Sequence, residues 1–155
     1  MSSLPLWRTE GLLAGLKRGS GGLVVQARSR KSQSPDCIAV HELFNKDADA
    51  VEDYSDTLAD RAAALGGTTQ GAVQVAAERS FLMPYALGIA DGKEHITTLS
   101  ISLTTFGESA RKAIGEAAGY DDANTVDLLT EISRGVDHQL WFVESHVAPK
   151  GFSTR

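Results

Sequence analysis

The sequence has a single cysteine, Cys37, in 155 residues. This excludes a disulfide within the chain and fits a reducing cytoplasm, where a lone thiol is most often buried and inert. No stretch reaches 18 consecutive apolar residues, so no membrane span is expected. Residues 11–16 are too short for a signal-peptide core and lack a basic lead segment. No segment alternates with period two, which argues against a sheet. There is no GxGxxG, P-loop or CxxC pattern and no internal repeat, so phosphate-cradling loops and paired-cysteine chemistry drop out.

A chain of this length suits one domain with a real core. Its charge is uneven. Residues 1–35 hold Arg8, Lys17, Arg18, Arg28, Arg30 and Lys31 against Glu10, a balance of +5, while the remainder holds nine Lys/Arg against nineteen Asp/Glu, a balance of −10. A basic front segment on an acidic body has two readings: a solvated tail, or an arm for an anionic partner such as DNA. The acidic body repels DNA but attracts cations.

Residues 1–36 form an atypical N-terminal segment, either a degraded first helix or a basic tail. Leu12, Leu13 and Leu16 begin an amphipathic pattern that Gly19, Ser20, Gly21 and Gly22 interrupt, and residues 26–35 (QARSRKSQSP) have no apolar period. Residues 37–148 read as the folded domain and 149–155 as a tail. A long helix is expected over residues 38–65, with Val40, Phe44, Val51, Leu58, Ala62 and Leu65 as its core stripe, and Gly66-Gly67 as its stop. A short helix is expected over residues 71–79. A second long helix over 92–118 carries Ile96, Leu99, Leu103, Phe106, Ala110, Ala113 and Ala117, spaced by threes and fours. A last helix, capped by Asn124 with Asp127 in its first turn, carries Leu129, Ile132, Val136, Leu140, Val143 and Val147 and stops before Pro149. Three long amphipathic helices leave a groove for a fourth, so the expected architecture is an all-α four-helix bundle.

A second stripe lies beside the first helix's core face: His41, Asn45, Glu52, Asp56 and Asp60. A lone histidine there is also consistent with ordinary packing, and acids one turn apart with a solvated face. Their combination on one flank points to metal chemistry. His41 and Asp56 are about 22 Å apart along a helix, so one chain cannot bring both to one ion. Two copies packed antiparallel, crossing near Asp49–Ala50, can. The expected metal site is therefore shared across a dimer. Other candidates are weaker. Asp121, Asp122 and Asp127 are either an acidic pore lining or acids favoured by a helix N-terminus. Trp141 and Phe142 suggest core or interface packing, and His95, His138 and His146 suggest surface or helix-end residues. Glu94 and His95 lack the Glu-x-x-His spacing of an intra-subunit di-iron bundle.

Residues 38–44 (IAVHELF), 56–67 (DTLADRAAALGG), 111–116 (RKAIGE) and 141–144 (WFVE), in that order, resemble the Dps family, the mini-ferritins known as DNA-binding proteins from starved cells. The resemblance implies a ferritin-like four-helix subunit with a short helix in the middle connection. It also implies a dodecameric cage built from dimers, which oxidises iron at dimer interfaces and stores the mineral inside. Carried over by position, His41, Asp56 and Asp60 become catalytic and metal-binding residues. Asp56 would bind the metal most directly, Asp60 would support it, and His41 would coordinate through a neutral ring nitrogen, so that binding weakens below about pH 6. Asp60 stands where Glu is usual and Asn45 where Asp is usual, a shorter acid and a neutral amide. Upstream, residues 26–37 (QARSRKSQSPDC) lack the family's second ligand histidine and the tryptophan after it, and Arg28 falls at the histidine position. A shifted reading frame, a misassigned start or a diverged gene each accounts for that departure. The expected function is a cytoplasmic ferroxidase and iron-storage protein that limits peroxide damage, with non-specific DNA binding and nucleoid association as an added role. The alternative is a DNA-binding or structural cage whose metal site is disabled.

Overall fold

A computed structural model describes residues 35–67, 80–84 and 92–146 of the chain. Among them the structure is all helical: α1 (Pro35–Ala64), α2 (Gly92–Gly119) and α3 (Ala123–Ser145). The expected first helix and the short helix of the middle connection lie outside the described residues.

Helix α1 is 30 residues long and begins three residues before its apolar pattern does. Pro35 opens it, a residue with a fixed φ that suits the first helical position and needs no amide partner there. The helix ends in a paired-carbonyl cap. The Gly67 amide donates to the Ala62 carbonyl and the Gly66 amide to the Ala63 carbonyl, both at 2.9 Å. Gly66 takes φ 84°, a left-handed conformation that favours a residue without Cβ.

Helix α2 passes through a hydroxyl-rich stretch, Thr97 to Thr105, that is poor in helix propensity. Thr97, Thr98, Ser102 and Thr105 each donate to the carbonyl four residues back, which satisfies the hydroxyls without breaking the helix. Helix α3 is capped by Asp122, whose carboxylate accepts from the Thr125 amide at 3.1 Å. This corrects the expected cap at Asn124. It also leaves Asp127 outside the first turn, which contains no acid.

The core lies between the three helices. All seven stripe positions of α2, from Ile96 to Ala117, are buried. Leu129, Ile132, Val136 and Val143 face them from α3, and Leu140 is half-buried at the edge. Each fully buried aliphatic side chain contributes on the order of 1.5–3 kcal/mol. Among the described residues α2 and α3 pack closely along each other, and the backbone of α1 approaches either of them less closely. From α1, Val51, Leu58 and Ala62 are buried as the stripe predicts, together with Ala48. Leu82 in the connection is buried too, and Phe81 stacks on Phe106 with ring centroids 6.4 Å apart.

Candidate metal centre

Helix α1 carries the whole expected site on one uninterrupted element, because residues 41 to 60 all fall within it. Asn45, Glu52, Asp56 and Asp60 are exposed, beside the buried row of Val51, Leu58 and Ala62. Neither Asp56 nor Asp60 has a hydrogen-bond or ion-pair partner among the described residues. Two acids one turn apart and open to solvent present hard oxygen donors to a cation. The His41 side chain lies outside the described residues; its position on the helix stays about 22 Å of axis from Asp56. Among the described residues of one chain, no three His, Cys, Asp or Glu side chains converge to hold a metal ion.

The end of α1 is tied to the start of α3. Arg61 donates through Nε to the Thr125 hydroxyl at 2.8 Å and through Nη2 to Asp122 Oδ1 at 2.6 Å. Asp122 accepts in turn from the Thr125 hydroxyl at 2.7 Å. This bears on the three acids read from sequence either as a pore lining or as acids favoured by a helix N-terminus. Asp122 is a helix cap paired with a guanidinium, while Asp121 and Asp127 are exposed.

The inward face of α1 holds groups that the apolar pattern passes over. Asp47 is fully buried, and both its carboxylate oxygens lack a hydrogen-bond partner among the described residues. Burial pushes its pKa up to about 7. The Ser55 hydroxyl is likewise buried and unpartnered among them. The sequence does contain a signal for this: the stripe passes over six residues between Phe44 and Val51, and helical spacing places residue 47 or 48 on the core face there. Tyr54, half-buried, packs against Gly135 of α3. A Cβ at Gly135 would collide with the Tyr54 hydroxyl and approach its Cζ to 2.7 Å. Burial raises the Tyr54 pKa, helped by the negative charges of Glu131, Asp53 and Asp47.

At the end of α3, of the two expected roles of Trp141 and Phe142, core or interface packing, the single chain excludes the first. Its side chain is 63% exposed and that of Phe142 37%, so neither belongs to the core of a single chain. They form a ring cluster with His138 and His146, with neighbouring centroids 5.6–6.4 Å apart. His138 and His146 are exposed, as expected, and His95 is half-buried.

Comparison with known proteins fits this helical arrangement. The ferritin-like domain family matches residues 26–149, most of the chain. A DNA protection during starvation protein of Agrobacterium fabrum is 34% identical over 131 residues, 83% of this chain and 79% of that protein. The chain belongs to the Dps family. DpsA14 from Streptomyces coelicolor superposes with a TM-score of 0.84 at 31% identity, covering 94% of this chain and 85% of that one. The Staphylococcus aureus Dps superposes with a TM-score of 0.85 over 94% and 95% of the two chains; at 21% identity it speaks for the fold alone. The fold is thus a ferritin-like helical bundle, as the resemblance implied. The ferritin-like domain match begins at residue 26, upstream of the point where the motif blocks become legible. No helix among the described residues is long and apolar enough to cross a membrane.

Proposed function

We propose that this Dps-family protein is a cage-forming ferroxidase and iron store that limits peroxide damage, with Fe(II) as its substrate. The supporting observation is the pair Asp56 and Asp60, one turn apart on α1, exposed and without a partner among the described residues. Oxygen donors of this kind suit Fe(II) and suit the harder Fe(III) better. In this reading Asp56 binds the ion most directly and Asp60 supports it. His41 and Asn45 of a second chain, running antiparallel, face them. A dodecamer built from such dimers completes the sites. The oxidant, peroxide or O₂, takes the electron, and Fe(III) passes to the acidic interior to mineralise.

The experiment is anaerobic Fe(II) titration of the purified chain, peroxide addition, and mass measurement by size exclusion alongside. Asp56→Ala is expected to remove most of the fast iron oxidation while leaving the assembly intact. Oxidation at the wild-type rate in Asp56→Ala eliminates this site. A second reading, a DNA-binding cage with a disabled metal site, draws on the +5 balance of residues 1–35 and on the printed name of the Agrobacterium relative. It predicts a gel shift lost at moderate salt, since phosphate contacts release counterions, together with no iron oxidation.

A further inference from the structure

Helix α1 carries the proposed donors, and its buried row, Val51, Leu58 and Ala62, settles it on the bundle. Apolar contact is non-directional, so the rotation of α1 is set more sharply by side chains that meet one specific partner. Among the described residues, two meet α3. Tyr54 seats against Gly135, and Arg61 reaches Thr125 and Asp122. These residues are seven apart, two helical turns, so both lie on the same face of α1. Their α3 partners run in the reverse order, which makes the two helices antiparallel here. Asp56 and Asp60 lie between the two anchors in sequence and point elsewhere, to solvent.

We propose that Tyr54 and Arg61 are positioning residues for the acidic pair: by fastening α1 to α3 at two points they set the rotation of α1, and with it the place at which Asp56 and Asp60 meet a metal ion. The proposal rests on the ferroxidase reading above. Side-chain tips lie about 5–6 Å from a helix axis, so a rotation of about 10° moves a carboxylate by about 1 Å. Metal ligands tolerate only about half that displacement. One anchor is electrostatic and the other steric. The Arg61 fork bonds a hydroxyl and a carboxylate at once, which a single ammonium cannot reproduce. The Tyr54 seat exists because Gly135 has no side chain, and a methyl group there displaces the ring.

The test uses the full-length chain and Co(II) alone as a spectroscopic probe, well below the unfolding midpoint of every variant, with assembly size recorded. Arg61→Gln and Gly135→Ala are each expected to weaken Co(II) binding about ten-fold, the effect typical of lost supporting contacts around a metal site, and to change its visible spectrum. Arg61→Lys is the milder variant and is expected to fall between. Gly135→Ala combined with Tyr54→Leu makes room for the new methyl group and is expected to recover affinity, which a purely destabilising lesion does not do. Arg111→Gln breaks the exposed pair with Asp137, 3.0 Å apart on α2 and α3, and is expected to leave affinity unchanged. Wild-type affinity and spectrum in both Arg61→Gln and Gly135→Ala overturn the proposal. If Asp56→Ala abolishes binding in that case, the metal reading survives. Co(II) binding that persists in Asp56→Ala removes the metal reading, and this proposal with it.

Discussion

Replacing Asp47 by asparagine tests the physics of the bundle interior directly. The side chain keeps its size and loses its titration. Asp47 is fully buried, and its carboxylate oxygens lack partners among the described residues, so the protonated acid is favoured inside, with a pKa of about 7 against an ordinary 3.8. The sign follows. Between pH 4 and pH 7 the folded chain holds a proton that the unfolded chain has released. Stability is therefore greatest at the acid end of this window and falls by about 1.4 kcal/mol per pH unit through it. Above pH 7 both states are ionised and the loss is complete. From pH 5 to pH 8.5 the wild type should lose about 2–3 kcal/mol that Asp47→Asn does not lose. The assay is urea unfolding by circular dichroism at both pH values, at one fixed protein concentration because assembly shifts the midpoint. Asp47→Asn should gain on the wild type as pH rises. Parallel pH profiles for the two proteins would show that Asp47 reaches water or a cation in the folded state, and the account of a neutral buried acid would fail.

Two further outcomes are expected. Gly66→Ala should cost about 1 kcal/mol in unfolding free energy, because the α1 cap holds this residue at φ 84°, and an unchanged midpoint would show that the last turn frays freely. Trp141, 63% exposed in the single chain, should shift its emission to the blue as the assembly forms, measured on a Trp7→Phe background against protein concentration; emission fixed from dilute to concentrated protein would place this ring outside every subunit contact.

The long helices were legible because their burial follows one rule. Every apolar stripe residue of α2 is buried, and the spacing of threes and fours says so directly. The Gly66-Gly67 stop was equally plain, since few other residues adopt its conformation. The start of α3 was harder to read: Asp122 and Asn124 are both good caps, and only the long reach of Arg61 and the nearby Thr125 favour the first. Asp47 escaped because a pattern of apolar residues has no place for a buried acid. Tyr54 on Gly135 escaped because residues 81 positions apart leave no periodic trace. Trp141 left core and interface both open in the sequence, since large aromatics signal burial without saying whether the covering surface belongs to the same chain. Of the residues proposed for the metal site, helical spacing made the shared flank visible, while meeting across a dimer depends on a second copy that no single-chain pattern encodes.

The pairing of Asp122 with Arg61 also shapes the electric field at the start of α3. An acid matched with a guanidinium 2.6 Å away is nearly silent at long range. A cation approaching that corner feels mainly Asp121 and Asp127, so the attraction is weaker than a count of three carboxylates suggests. Neutralising Arg61 would unmask the third, and the same lesion that loosens α1 would deepen the negative potential at the opposite end of the contact.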